Sequence, residues 1–199
     1  MPSATPARRT QAERRATTRA ALLVAARDGL TENGFAAPGR EEVAERAGVT
    51  RGALYHHFES MQALFEAVVD EIEAEILERL MAAAVQGRDP VDRLQRAGRA
   101  YLAAAAEPDV ARIYLGEARG VLGLEECRRR NAQIAELLAR SLELAERDGH
   151  VVVGDRLVAA SLIVGLLDEA ATLVATGGAS RPKVRTTVDA VIAALLPVA

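Results

Sequence analysis

The sequence has 199 residues, of which 50% are hydrophobic and 27% are charged, and its formal net charge is −3. This length and apolar content fit one or two folded domains with a sizeable core, and the slight excess of acid excludes a uniformly basic protein. A single cysteine, Cys127, excludes an internal disulfide and a four-cysteine zinc site, and an aromatic content of 3% argues against a β-sandwich or β-barrel.

Charge is distributed unevenly along the chain. Residues 1–27 carry six arginines against one glutamate, whereas residues 61–199 carry 16 basic and 21 acidic residues. A basic leading segment on an acidic body suggests an end that faces a polyanion, although a solvated tail explains the same pattern. Residues 1–9 are predicted to form a disordered basic arm.

No segment has the pattern of a signal peptide or of a membrane-spanning helix. The apolar run at residues 20–26 is short and rich in alanine, and the stretch from Leu157 to Leu167 covers eleven residues. A membrane-spanning helix needs about 20 apolar residues. We therefore expect no membrane partner and a cytoplasmic location.

Helical spacing dominates, and the first three predicted helices form one compact unit. The first runs from about Thr10 to Glu32 and ends at Asn33-Gly34, because glycine readily adopts the positive φ found after a helix C-terminus. The second covers Arg40 to Ala47. Thr50 then caps a third short helix, Arg51 to His57, so that the pair forms a helix-turn-helix.

The outer side of the third helix suits a DNA groove. Leu54 and Phe58 lie four residues apart and anchor this helix to a core that also contains Phe35 and Phe65. Arginine donates to guanine O6 and N7, small residues let the backbone approach closely, and hydroxyl and imidazole groups donate to phosphates. The predicted DNA contacts here are Thr50, Arg51, Gly52, Ala53, Tyr55, His56 and His57.

The stretch from Val43 to Phe58, VAERAGVTRGALYHHF, continued by Ala63-Leu64-Phe65, resembles the DNA-binding domain of the tetracycline-repressor (TetR) family. The similarity is ungapped and runs from about Thr17 to Val69. It implies an all-α homodimer of about nine helices that binds a palindromic double-stranded DNA operator. It further implies repression that an unidentified small-molecule effector relieves. On this basis residues 10–59 are the DNA-binding domain, and residues 60–199 are the ligand-binding and dimerisation domain.

Three positions depart from the family pattern. The family usually has Ser or Thr at the start of its second helix, where this chain has Pro38 and Gly39. We expect Arg40, which stands where an apolar residue is common, to supply the missing phosphate contact. Met61 stands where the family often has lysine. These departures leave open the alternative of a helical interaction protein that has lost DNA binding. The basic residues from Arg8 to Arg15 are candidates to compensate for the lost phosphate contact.

Six further helices are predicted in the C-terminal body. The fourth runs from Ser60 to about Gln86, and the fifth runs from Asp89-Pro90 to Ala106, with proline at the first helical position. A short sixth helix covers Val110 to Leu115. An irregular connection with three glycines follows, and the seventh helix covers Glu125 to Arg147.

The last two predicted helices have a surplus of apolar surface, which a partner chain explains best and a larger core of a single chain explains otherwise. Asp155 to Ala175 is apolar nearly all round, and the ninth helix, which starts at Pro182 or Lys183, repeats apolar residues with helical spacing. The resemblance implies that both helices pair with a second subunit. The expected interface residues are Leu157, Leu162, Val164, Leu167, Val184, Val188, Val191, Ile192 and Leu195.

We expect the ligand pocket among helices four to eight. Tyr101 and Tyr114 are the only aromatic residues after Phe65, and each has a polar tip that can orient a ligand. Core packing or surface exposure is the competing interpretation. Few aromatics disfavour a planar multi-ring cation held by stacking and favour a hydrophobic or amphipathic metabolite. The other candidate ligand-binding residues are Asn131, Leu138 and Asp168.

Nothing in the sequence indicates an enzyme, since it lacks G-x-S-x-G, P-loop and H-E-x-x-H motifs. Cys127 stands beside the basic run 128–130, which suggests a lowered thiol pKa, although a lone cysteine is more often idle and the run is more often a solvated face. His56 and His57 point about 100° apart on a helix and do not share a metal. We expect no catalytic residue, metal or cofactor, and we interpret the chain as a repressor held at the bacterial nucleoid through DNA.

Overall fold

The computed structural model describes residues 10–36 and 39–197. The predicted basic arm, residues 1–9, lies outside the described residues, as does Pro38. Within the described ranges the fold is all-α, as predicted. The helices are α1 (Gln11–Asn33), α2 (Arg40–Arg46), α3 (Arg51–His57), α4 (Met61–Val85), α5 (Pro90–Ala104), a π-helical segment (Val110–Glu117), α6 (Ala118–Leu122), α7 (Leu124–Arg147), α8 (Arg156–Ala175) and α9 (Arg181–Leu195).

The chain divides into two compact units, residues 1–68 and residues 69–199, and the division falls inside α4. In the first unit α1 begins at a capping box, in which the Thr10 hydroxyl accepts from the Glu13 N–H and the Glu13 carboxylate accepts from the Thr10 N–H. Its C-terminus is closed by Gly34 at φ 76°.

The core of the first unit fixes the helix-turn-helix. Leu54 of α3 is fully buried, and Gly48 makes the turn between α2 and α3 with φ 65°. The aromatic side chains lie as predicted, since Phe58 and Phe65 are buried and the half-buried Phe35 meets Phe65 edge-on with centroids 5.2 Å apart. α3 is therefore anchored along one side only.

The second unit places α5 tightly against α8 and α9. Gly98 of α5 permits this approach, because a Cβ there would lie 3.1 Å from Leu167 Cδ2 of α8 and within 4 Å of Val188 and Ile192 of α9. One part of the core of the unit thus forms where these three helices meet, and side chains of α4, the π-helical segment and α7 form the rest.

Part of the predicted dimer interface is packed within one chain. The apolar side of α9 contacts α5 and α8 of the same chain, so the residues buried there expose little surface to a second subunit. Leu157 and Leu162 are 51% and 56% exposed, and Val191 and Leu195 are half-buried. The five predicted interface residues that the fold buries are Val164, Leu167, Val184, Val188 and Ile192.

The region after α5 also differs from its prediction. The backbone stays helical from Val110 to Leu122, so Gly116 and Gly120 lie inside helices instead of in an irregular connection. The π-helical hydrogen-bond pattern explains this, since the Ala118 N–H donates to the Ile113 carbonyl five residues earlier. Of the glycines between 110 and 124, Gly123 alone has a positive φ, 90°.

α8 ends at Ala175, as the sequence predicts, but its apolar character extends beyond the run from Leu157 to Leu167. An 18-residue window within it has a mean hydropathy of 1.9, so that among the described helices α8 is the one long and apolar enough to cross a membrane. This is a statement about length and composition alone, and the core helix of a folded protein meets the same criterion.

Candidate nucleic-acid interface and ligand pocket

α3 presents its N-terminal half outward. Thr50 adopts an extended backbone, and its Oγ1 accepts a hydrogen bond from the Ala53 N–H at 3.2 Å, which starts the helix. With Leu54 buried, Arg51, Gly52 and Tyr55 are exposed. Gly39 precedes α2 without a side-chain cap, so the capping contact usual at this place is absent here.

Three predicted DNA contacts come together in one cationic cluster. Arg51 donates to the Tyr55 hydroxyl at 3.2 Å, and the Arg40 guanidinium lies 4.8 Å from the centre of the Tyr55 ring. Hydrogen bonds from these two arginines lower the pKa of Tyr55. Arg51 also forms an ion pair with Glu41 of α2, with Nη1 and Oε1 2.5 Å apart. The sequence analysis missed Glu41, because helical periodicity does not show which charged side chain of α2 will pair with one of α3.

The two histidines lie at the C-terminal end of α3. His56 is exposed and His57 is half-buried, and their ring centroids are 5.9 Å apart. Burial lowers the pKa of His57, and the charges of Arg15, His56 and Arg19 lower it further. The arginines of α1, rather than His57, therefore supply the positive charge beside this end of α3. Within residues 10–36 and 39–197 no cluster of three or more His, Cys, Asp or Glu residues could hold a metal ion.

The second unit contains a cavity of about 340 Å³ between α4, the π-helical segment, α7 and α8. Three of the five predicted ligand residues line it, namely Tyr101, Tyr114 and Asp168. Asn131 is not one of the lining residues, but its side chain donates a hydrogen bond to Asp168, which lines the cavity. Leu138 does not line it, because the face of α7 toward the cavity is rotated by one residue and presents Leu137. The aliphatic walls are formed by Ile76, Leu77, Leu80, Ile134, Leu137, Val164 and Leu167.

One polar network in the cavity is centred on Asp168. Tyr101 Oη donates to Asp168 Oδ1 at 2.9 Å, and Asn131 Nδ2 donates to Asp168 Oδ2 at 2.7 Å. Burial raises the pKa of Tyr101 and that of Tyr114, so both remain neutral phenols that donate hydrogen bonds. Two neutral side chains, Tyr101 and Asn131, therefore hold the carboxylate in a fixed orientation.

A second network is centred on Arg130, whose side chain is 10% exposed. Its Nη1 donates to Asp70 at 2.8 Å and to Glu73 at 2.7 Å, and its Nε donates to Glu126 at 2.8 Å. Burial raises the pKa of Glu73, although Arg130 opposes the shift. The prediction that the whole run 128–130 is a solvated face is therefore wrong for Arg130, because α7 turns this one guanidinium toward α4.

Cys127 does not have the environment of a reactive thiol. Its side chain is half-buried, and burial raises the pKa of the thiol despite Arg119 and Arg130 nearby. The suggestion of a lowered pKa from the adjacent basic run is corrected by this placement. The thiol is thus protonated at neutral pH.

Comparison with known proteins identifies the family. Residues 22–68 match the family model for bacterial regulatory proteins of the tetR family, and residues 91–197 match the model for the tetracyclin repressor-like C-terminal domain. The transcriptional repressor BepR of Brucella suis is 32% identical over 158 residues, which cover 72% of this chain and 73% of that protein.

Solved structures agree. A TetR-family transcriptional regulator from Pectobacterium atrosepticum superposes with a TM-score of 0.81 and 36% identity, over 95% of this chain and 98% of that one. The SmeT–triclosan complex has the same fold, with a TM-score of 0.70 and 20% identity over 90% of this chain and 91% of that one. With both family models matched in order along the sequence, this chain belongs to the TetR family of bacterial transcriptional regulators.

Proposed function

We propose that this regulator is a repressor that binds a palindromic DNA operator as a homodimer and is released by a small molecule. In this proposal residues 10–59 read the DNA, and residues 60–199 bind the effector and the second subunit. The observation that carries it is the outward half of α3, where Thr50, Arg51 and Gly52 precede the buried anchor Leu54. The repressor BepR, a relative over most of its length, supports repression as the direction of control.

Each exposed residue of α3 then has a distinct role. Arg51 contacts a guanine in the major groove, and Gly52 and Ala53 allow close approach of the backbone. Tyr55, His56 and His57 donate to phosphates, as does Thr50. Arg40, held against the Tyr55 ring, replaces the phosphate contact that the uncapped start of α2 lacks. The contacts among Arg40, Arg51 and Tyr55 support their action as one group.

The second subunit covers the exposed apolar face of α8. Leu157, Val158 and Leu162 are each more than half exposed, and a contiguous apolar surface of this kind marks a protein interface. Val191 and Leu195 of α9 extend it. Two subunits joined in this way place their α3 helices in successive major grooves, about 34–36 Å apart.

The effector binds in the cavity of the second unit. Its volume and mostly aliphatic lining are typical of small-molecule sites, and the structural relative SmeT has been solved with triclosan. Release follows if the ligand binds more tightly to a dimer whose α3 spacing does not fit the operator, since a ligand shifts an equilibrium only by its difference in affinity for the two states.

A mobility shift with DNA that flanks the gene of this protein tests the proposal. We expect a specific complex containing two protomers, with an affinity that falls as salt rises, because phosphate contacts release counterions. Protein that has been unfolded and refolded to remove any bound ligand is used alongside. The proposal would be contradicted if, at every salt concentration, neither preparation bound the flanking DNA more tightly than a random duplex.

A further inference from the structure

The cavity of the second unit has an acidic lining. Asp70, Glu73 and Asp168 face it, and Arg130 is the only cation among the described residues that line it. The rest of the lining consists of aliphatic side chains, two tyrosines and one glutamine. The electrostatic potential inside the cavity therefore favours a positive ligand over a negative one.

Arg130 does not act as an anion-binding group in this arrangement. Its guanidinium already donates to Asp70, Glu73 and Glu126, all at 2.7–2.8 Å. An anionic ligand that approaches this guanidinium meets three carboxylates, whose charges repel it, and displacing one of them would break a mostly buried ion pair. Both effects disfavour ligands with a carboxylate or phosphate group.

Asp168 has the opposite character. Each of its oxygens accepts one hydrogen bond from a neutral donor, Tyr101 at 2.9 Å or Asn131 at 2.7 Å. A carboxylate offers about four lone-pair sites, so further donors can be accepted. In the described part of the chain no cationic side chain forms an ion pair with Asp168. Its orientation is fixed while its charge is left uncompensated in a mostly apolar cavity, which is costly until a cation arrives.

We propose that the effector is an amphipathic cation, a small lipophilic amine whose ammonium group binds Asp168 and whose apolar part lies against Leu77, Ile134 and Leu137. The identification rests on the proposed function, in which this cavity is the effector site. The volume of about 340 Å³ is near the lower end of the range for small-molecule sites, so the ligand is small. The aliphatic walls suit an alkyl or alicyclic group.

Isothermal titration calorimetry without DNA tests the ligand class. Three probes of equal chain length are used, n-octylamine, 1-octanol and octanoate, each below its micellar concentration. The wild-type protein is expected to bind octylamine about 10- to 100-fold more tightly than octanol, because a hydrogen bond to a charged partner is stronger than one between neutral groups. Octanoate is expected to bind most weakly. This series needs no variant and does not depend on the folding of one.

Two variants then assign the site. Asp168→Asn keeps the shape of the side chain and is expected to remove most of the preference for octylamine over octanol. Glu169→Gln removes the same charge from the next, exposed position of α8 and is expected to leave the preference unchanged. Far-UV circular dichroism establishes that both variants are folded.

Several outcomes would overturn the inference. Octanoate binding as tightly as octylamine, absence of binding for all three probes, or an unchanged preference in folded Asp168→Asn would each do so. Other results distinguish failure of the effector role from failure of the ligand class. If octylamine binds through Asp168 but does not release the DNA, the effector role alone is contradicted. If octanoate releases the DNA, the ligand class alone is contradicted.

Discussion

Replacement of Arg130 by methionine tests the energetics of the cavity directly. The variant Arg130→Met keeps an unbranched side chain and removes the charge that Asp70, Glu73 and Glu126 share. We predict a marked loss of stability, because Asp70 and Glu73 lose their shared cation, whereas Glu126 keeps its ion pair with Arg129. Breaking a buried ion pair by removing one partner is destabilising in general, since the remaining charge stays in place.

The magnitude follows from the exposure of the partners. A hydrogen bond to a charged group contributes about 1.5–3 kcal/mol, so the bonds to Asp70 and Glu73 together set a range of roughly 3–6 kcal/mol. Asp70 is 58% exposed and regains water when released, whereas Glu73 is 24% exposed. The expected loss is therefore near the lower limit, about 3 kcal/mol, or a fall in Tm of about 6–12 °C.

Thermal unfolding followed by far-UV circular dichroism at fixed protein concentration measures this loss. Arg128→Met, at an exposed position two residues earlier, is the matched control and should change stability by less than about 0.5 kcal/mol. Equal Tm values for the two variants would refute the reasoning.

The pH dependence gives a second check. The pKa of Glu73 is raised by burial, so its protonated form stabilises the fold at low pH, and this contribution is lost as pH rises through the folded-state pKa. Arg130→Met removes the opposing effect of the guanidinium and raises this pKa further. The difference between wild type and variant should therefore be larger at about pH 7.5 than at about pH 5. A difference that grows on acidification would contradict the assignment.

Other predictions concern DNA binding and assembly. Arg51→Ala should weaken operator binding by about 1–3 kcal/mol and relax the base preference at one position. Equal weakening for all duplexes in anisotropy titrations would show that Arg51 makes no base contact. Glu41→Gln should tighten DNA binding, because Arg51 loses the carboxylate that competes with DNA, and unchanged affinity would deny that competition. Leu162→Asp should yield monomers in analytical ultracentrifugation. The control Val24→Asp, at a similarly exposed position of α1, should remain dimeric. A dimeric Leu162→Asp variant would place the interface elsewhere. Deletion of residues 1–9 should flatten the salt dependence of DNA binding by about one unit of slope per lost phosphate contact, and an identical slope would leave the basic arm without a role.

Local sequence signals predicted the helix-turn-helix well. The cap at Thr50, the positive φ at Gly34 and the buried anchor Leu54 each depend on residues within four positions of one another. Short-range chemistry of this kind is fixed by residue type and spacing, so a single sequence contains it. The helix boundaries of α1 and α3 were predicted to within about one residue for the same reason.

Contacts between distant positions could not be predicted. Arg130 meets Asp70 sixty positions earlier, and Arg51 meets Glu41 across a turn, and no periodicity tells which of many charges will pair. α9 shows the same limit, since its apolar face was evident but its partner was not. Gly98 lets Val188 and Ile192 pack closely against α5, but a glycine inside a predicted helix does not indicate such a role.

A DNase I footprint on DNA flanking the gene of this protein tests the central claim most directly. The outward face of α3, repeated in a dimer, predicts one protected segment that contains an inverted repeat with half-site centres about 10 base pairs apart. The Arg51→Ala variant should lose this protection at protein concentrations at which the wild type retains it. Uniform protection of all sequences, or a protected site without two-fold symmetry, would contradict the account.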